Sequence, residues 1–225
     1  FTCIPHDVPY RPPLHTKNPV IAGIQTAGGT ADSDPDKHGR VKVRFPWDRE
    51  AKESCWVRVG QLWAGQGWGA VWLPRVGHEV MVGFIDGDPD RPIITGSVYN
   101  ANNTAPYALP DEKTKGTIRS QFVGGGGYNE LSFDDKQGAE QIYLQGDKDL
   151  KVVIKNDATT EIGNIDTVKA KQVLIEAQEE LSLKVGTATV TLKNDGSITI
   201  KGLNLTTEAS AELKLKGRLE WAQEE

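Results

Sequence analysis

Cysteine is scarce in this chain: Cys3 and Cys55 are the only two among 225 residues. One lies near the start and the other in the strand-like run Cys55-Trp56-Val57-Arg58-Val59, so no disulfide framework is available. Both read as free thiols of a reducing compartment. Histidine stops at His78 and proline at Pro110, which leaves the second half without imidazole ligands or proline breaks. No apolar run approaches the roughly 20 residues of a membrane span. The opening residues lack the basic and apolar regions of a secretory signal. Basic charge is not in excess either. The 26 Lys and Arg face 31 Asp and Glu, a formal net charge of −5, and this removes the electrostatic footprint of a nucleic-acid binder. The chain opens on Phe1 rather than Met, which reads as a piece of a longer protein.

What the chain does have is glycine, 24 of them, and short bursts of alternating apolar and polar residues. That combination predicts an all-β, turn-rich protein of one or two domains. Residues 1–17 read as an extended, proline-punctuated lead-in (Val8-Pro9-Tyr10-Arg11-Pro12-Pro13). Strands are expected near Val20–Thr26, Arg40–Phe45, Cys55–Gly60, Glu79–Phe84 and Ile93–Val98. The turns between them are Asp32-Ser33-Asp34-Pro35-Asp36, Gly65-Gln66-Gly67 and Asp86-Gly87-Asp88-Pro89-Asp90. Five short strands over 18–100 predict a five-stranded OB-fold barrel, with Val41, Val43, Phe45, Val57, Val59, Val80 and Val82 as its core. Residues 101–117 read as a polar linker.

From 118 to 217 the pattern is strand after strand. Leu181-Ser182-Leu183-Lys184-Val185, Ala188-Thr189-Val190-Thr191-Leu192, Ser197-Ile198-Thr199-Ile200-Lys201 and Glu212-Leu213-Lys214-Leu215-Lys216 each place one apolar row inside and one polar row in water. Such strands have nothing of their own to bury that row against. They must wind into a solenoid or share a core with further copies of the chain. The expected core is Leu181, Leu183, Val185, Val190, Leu192, Ile198, Ile200, Leu205, Leu213 and Leu215. About 12 strands stacked about 4.8 Å apart make a rod on the order of 60 Å long, longer than a bilayer is thick. Residues 218–225 break the pattern and read as a tail or appended residues.

Chemistry-bearing motifs are few. Asp86-Gly87-Asp88-Pro89-Asp90 lacks the spacing and closing glutamate of an EF-hand loop and reads as a tight turn, as does the Asp32/Asp34/Asp36 trio. His78-Glu79 has no second histidine four residues on. The Gly65-Gln66-Gly67-Trp68-Gly69 and Gly124–Gly127 runs are not followed by Lys-Ser/Thr and do not open a helix, so they are turns or hinges rather than phosphate loops. No nucleophile elbow occurs. No catalytic residue, metal site or cofactor is therefore assigned. The tryptophans Trp47, Trp56, Trp63, Trp68 and Trp72 read first as core and inter-subunit packing. An aromatic surface for polysaccharide or nucleic acid is the competing reading, because OB-folds stack bases and sugars on such rings.

Six motifs occur in order: Gly39-Arg40-Val41-Lys42-Val43-Arg44-Phe45, Ser54-Cys55-Trp56-Val57-Arg58-Val59, Trp63-Ala64-Gly65, Pro74-Arg75-Val76-Gly77-His78-Glu79-Val80, Gly87-Asp88-Pro89-Asp90-Arg91-Pro92 and Gly96-Ser97-Val98-Tyr99-Asn100. Downstream stand Asn129-Glu130-Leu131, Phe133-Asp134-Asp135, Gly138-Ala139-Glu140-Gln141-Ile142 and Lys155-Asn156-Asp157. Together they resemble the valine-glycine repeat protein G (VgrG) family, the spike of the bacterial type VI secretion system, over residues 1–217. The resemblance implies a homotrimer in which an OB-fold neck is followed by an intertwined triple-stranded β-helix, or β-prism. It also implies kinship with the central spike of contractile phage tails.

That phage relative carries a lysozyme domain where this chain has only its linker, so cell-wall hydrolysis does not carry over. The chain departs from the family by lacking the large hub region and any appended effector domain. The implied partners are the tube protein Hcp at the base, effectors or their adaptors, and a target membrane crossed mechanically, with no nucleic acid. A separate Pro-Ala-Ala-Arg (PAAR) repeat tip protein is expected to dock at Leu213, Leu215 and Gly217, because no histidine follows His78 to fold a metal-bound tip at the needle end. The implied itinerary is assembly in the bacterial cytoplasm without a signal peptide, then secretion to the exterior or into a target cell. A carbohydrate- or nucleic-acid-binding OB module on a β-solenoid stalk is the alternative function, and a glycan-degrading tail spike is a third.

Overall fold

The computed structural model describes residues 3–13 and 15–218. The chain forms two compact units, Phe1–Val152 and Val153–Glu225. Of the tail expected over 218–225, all but Arg218 lies outside the described residues. The fold is all-β, with one 3-10 turn at Ile85–Gly87.

The first unit opens with β1 (Gln25–Ala31), β2 (Lys42–Arg44) and β3 (Arg58–Val59). A small hairpin of β4 (Trp63–Ala64) and β5 (Gly69–Ala70) follows, then β6 (Glu79–Phe84) and β7 (Pro92–Val98). Five of these make one sheet in the order β2-β1-β6-β7-β3. An antiparallel bridge between Val41 and Val57, with N–H···O distances of 3.0 and 2.8 Å, joins β3 back to β2 and closes the ring. The parallel β3–β7 pair inside an otherwise antiparallel ring is the topology of an OB-fold.

The first strand sits later than the expected Val20–Thr26. Ile21 donates its N–H to Gly87 O at 2.8 Å and is held at the 85–91 turn, so the ladder to β6 begins only at Gln25↔Val82. Gly29 belongs to this strand because a Cβ there would stand 3.0 Å from the Arg75 carbonyl oxygen.

The ring closes over Ala27, Val41, Val43, Val57, Val80, Val82 and Ile94, all buried, with Phe45, Val59 and Phe84 packed against them. Each buried valine or isoleucine contributes roughly 1.5–3 kcal/mol. The 32–40 turn is held by Asp34, whose almost wholly enclosed carboxylate accepts from the backbone N–H groups of Asp36, His38 and Arg40. Arg40 also grips it with Nε at 2.9 Å and Nη2 at 2.8 Å. The Arg40 guanidinium is the main cause that holds the Asp34 carboxyl well below the ordinary carboxylate range.

The first unit ends in a second sheet of β8 (Lys115–Gln121), β9 (Tyr128–Asp134) and β10 (Gln141–Gln145), in the order β10-β9-β8. The four-glycine run is the β8–β9 hairpin turn, and Gly124, Gly125 and Gly126 there take φ values of 90, 84 and 101°. The second unit contains a meander of β11 (Glu180–Val185), β12 (Ala188–Lys193) and β13 (Ile198–Lys201). The strand expected at Glu212–Lys216 does not form within the chain, and 146–179 likewise contain no strand. A strand exists only where another segment completes its ladder, and no described segment of the same chain pairs with these residues.

Ile94→Ala should destabilise the barrel by about 2–5 kcal/mol in equilibrium denaturation, because it empties a fully enclosed site. Asp34→Asn should lower thermal stability at pH 7. The folded pKa of Asp34 is depressed, so its stabilisation is complete above the unfolded value of about 3.9 and fades as pH falls below it. The gap between wild type and Asp34→Asn in thermal melts should therefore close in acid.

Candidate assembly surface

A single chain exposes 20725 Å² of surface. A compact monomer of 24.6 kDa exposes on the order of 10,000 Å². Many large apolar side chains are among the exposed residues, and in the sheets they are organised by strand register.

In the β11–β13 meander the directly opposed pairs are Leu181↔Leu192, Leu183↔Val190, Val185↔Ala188, Val190↔Ile200 and Leu192↔Ile198. Opposed residues of an antiparallel pair point to the same side, so these eight side chains form one apolar face. The alternate pairs Glu180↔Lys193, Ser182↔Thr191, Lys184↔Thr189, Thr191↔Thr199 and Thr189↔Lys201 form the polar face. In the lone chain the apolar face is open: Val185 is 83% exposed and Ile198 68%, and only Leu181 and Val190 are partly covered. Leu205, Leu213 and Leu215 are exposed as well, beside Gly217 in a segment without strand pairing.

The β8–β10 sheet repeats the arrangement. Ile118↔Leu131, Leu131↔Leu144 and Phe133↔Ile142 align on one face, where all but Leu131 are exposed. These residues were not among the expected core, although Leu131-Ser132-Phe133 and Ile142-Tyr143-Leu144 carry the same alternation. Their runs are short and flanked by glycine, which masks the period.

The tryptophans do not form a core. Trp47 stacks on Phe45 at 5.1 Å and donates to Gln25 Oε1 at 2.8 Å, and Trp56 is half-buried under Lys42. Trp63, Trp68 and Trp72 are exposed in the lone chain, which overturns packing in a single-chain core for them and leaves packing between subunits as the expectation. The cause is the β4–β5 hairpin, which projects these rings on a two-residue ladder. Trp68 packs edge-on against Trp63 at 4.9 Å and directly over Gly65, where a Cβ would lie 2.2 Å from the indole. Residues 61–73 contain no Lys or Arg, so a nucleic-acid backbone would find no counter-charge beside these rings.

The acidic turns are occupied by the protein itself. Asp34 serves backbone donors and Arg40, Asp88 accepts from Asp90 N, and Asp86 pairs with Arg91. Cys3 and Cys55 are free and exposed. No cluster of three or more metal-ligating side chains occurs among the described residues.

The fold thus combines a closed OB barrel with later three-stranded sheets whose apolar faces are open in the lone chain. Residues 28–99 match the family described as the type VI secretion system/phage-baseplate injector OB domain. Residues 116–217 match the bacteriophage T4 gp5 C-terminal trimerisation domain. The chain is 59% identical over 128 residues to the type VI secretion system spike protein VgrG3 of Vibrio cholerae, which covers 55% of this chain and 13% of that protein. It is 36% identical over 264 aligned residues to the spike protein VgrG1a of Pseudomonas aeruginosa, covering 97% of this chain and 41% of the relative. The actin cross-linking toxin VgrG1 of Vibrio cholerae is 48% identical over 170 residues, 72% of this chain and 15% of the toxin. The chain belongs to the VgrG spike family. It spans less than half the length of these relatives.

Leu192→Asp puts a charge in the middle of the apolar face, whereas Thr191→Asp puts it on the polar face. In sedimentation experiments the first should dissociate the assembly to lower mass and the second should leave it intact. Equal masses for the two variants would show that the face assignment is wrong.

Proposed function

We propose that the protein is the puncturing segment of a type VI secretion spike, working as a homotrimer that transmits thrust from a contracting sheath. The observation that carries this reading is the open apolar face of β11–β13, an aliphatic row complete in register and lacking a cover. In a three-chain prism Leu181, Leu183, Val185, Val190, Leu192, Ile198 and Ile200 face the axis, and Thr and Lys face water. The extended segments 146–179 and 202–217 then find ladder partners in neighbouring chains. A closed prism leaves no lateral edge unpaired, and bending it requires many ladder bonds to yield together. The work is mechanical, and no group of this chain is assigned a catalytic role.

In this reading the domains are a lead-in over 1–17, an OB neck over 18–100, a linker over 101–117 and a needle over 118–217. Hcp meets the base, and a PAAR-repeat tip sits at the needle end on Leu213, Leu215 and Gly217. Effectors travel with the tip, and the spike leaves the cell where it was assembled. The family match to a trimerisation domain and the names of the relatives support the trimer and the secreted spike.

Mass in solution tests the reading first. Three times the 24.6 kDa of one chain is expected, and a monomer would overturn it. Delivery tests it second. In the full-length protein, Leu192→Asp should abolish release of Hcp and killing of target cells, while Thr191→Asp should retain both.

A further inference from the structure

The two family matches leave residues 100–115 uncovered, and the chain there is far from a loose tether. Asn100 donates through Nδ2 to Glu79 Oε2 at 2.6 Å, and its own Oδ1 accepts from the N–H groups of Asn102 and Asn103. Asn103 donates through Nδ2 to Gly77 O at 3.0 Å. One end of the strap is thereby tied to the barrel.

The other end lies on the β8–β9 sheet, and on the face that the alternation would give to water. Glu130 and Ser132 on that face are buried, at 4% and 6% exposure. They are covered while the apolar face of the same sheet stands open. Tyr107 reaches over from the strap and donates its hydroxyl to Glu130 Oε1. Thr117 Oγ1 donates to the same oxygen at 2.8 Å, and Arg119 Nε lies 3.6 Å from Oε2. Arg119 also donates to Pro106 O at 3.3 Å and lies flat on the Tyr128 ring, with Cζ 3.5 Å from its centre. Lys115 sits 4.6 Å over the Tyr107 ring. A buried carboxylate costs several kcal/mol unless it is paired and hydrogen-bonded, and here Oε1 accepts from Tyr107 and Thr117 while Oε2 faces the Arg119 guanidinium. Removing the Tyr107 hydroxyl would take one hydrogen bond from an enclosed carboxylate, and removing the Glu130 charge would leave the hydroxyl without its charged acceptor. Barrel and sheet also touch directly, Arg75 Nη1 donating to Gln121 O at 2.6 Å.

We propose that half-buried Tyr107 and buried Glu130 form a latch that fixes residues 100–114 against β8–β9, so that neck and needle meet in a rigid joint rather than a flexible tether. The mechanical half of this proposal rests on the spike reading; the latch itself does not. In the spike, an axial blow on a tether would be lost in its slack. Through a latched strap it passes from Gly77 and Glu79 on the barrel into β8 and β9.

Hydrogen exchange on the purified trimer tests the latch. Tyr107→Phe removes only the hydroxyl, and Glu130→Gln only the charge. Each should speed exchange of the strap amides about tenfold or more, the scale of a lost hydrogen bond to a charged group, while the barrel core amides and the solution mass stay unchanged. Tyr99→Phe, at an exposed ring, is the control and should change nothing. Strap exchange that stays at the wild-type rate in both variants would overturn the latch. The mechanical half is read separately, in full-length protein. Tyr107→Phe should reduce effector delivery into target cells while its trimer mass and release of Hcp into medium persist. Full delivery with a loosened strap would show that the joint need not be stiff, and would leave the spike reading standing.

Discussion

Backbone pairing is the constraint on which everything else in this chain depends. Every N–H and C=O of an extended segment needs a partner, and the protein meets that need in two ways. The barrel meets it alone: the Val41–Val57 bridge turns a five-stranded sheet into a ring, and the ring encloses its own valines. The rest of the chain meets it only in part. Two three-stranded sheets form from local hairpins, and among the described residues 146–179 and 202–218 have no ladder partner in the same chain. The neck is therefore a property of one chain and the needle a property of several.

Much of this was legible in the sequence, and the parts that were not fail for identifiable reasons. The alternation of Val41, Val43 and Phe45 with Lys42 and Arg44 announces a two-faced strand, and residues 79–84 and 180–201 announce theirs in the same way. The first strand is obscure because Gln25-Thr26-Ala27-Gly28-Gly29 has little β-propensity, and the apolar Val20 and Ile21 just before it mislead. Its place is set by a close approach to Arg75, a tertiary fact with no local signature. The strand expected at Glu212–Lys216 has the right pattern and no partner among the described residues of the chain, because periodicity reports which side of a segment is apolar and says nothing of what lies across from it. The exposed tryptophans depart from the single-chain core that large rings usually mark. Here glycines at 65, 67 and 69 build a hairpin too tight to fold them inward.

Glu130 was invisible for a different reason. In β9 it alternates with Leu131 and Phe133, so pattern alone sends it to water. The strap reverses that assignment by bringing Tyr107 over it. Burial on one face and openness on the other give β8–β10 the character of an outer shell, covered from outside by its own chain and waiting on the inside for others. A polar residue enclosed on the nominally wet side of a sheet is a sign that a connecting segment has a structural task.

The meander of β11–β13 has a consequence for how the needle comes into being. Its turns are short: Val185 faces Ala188 across Gly186-Thr187, and Lys193 receives the Gly196 N–H at 3.0 Å to close the second. Contacts this local form within microseconds, well before three chains can find one another at ordinary concentrations. Register within each hairpin is a local matter, whereas encounter depends on concentration and burial of the aliphatic row waits on it. A one-residue slip would carry the whole aliphatic row to the wrong side, and three identical strands could perpetuate such an error all along a shared axis. Hairpins that zip early act as a proofreading stage, so the order of events in time protects the order of side chains in space.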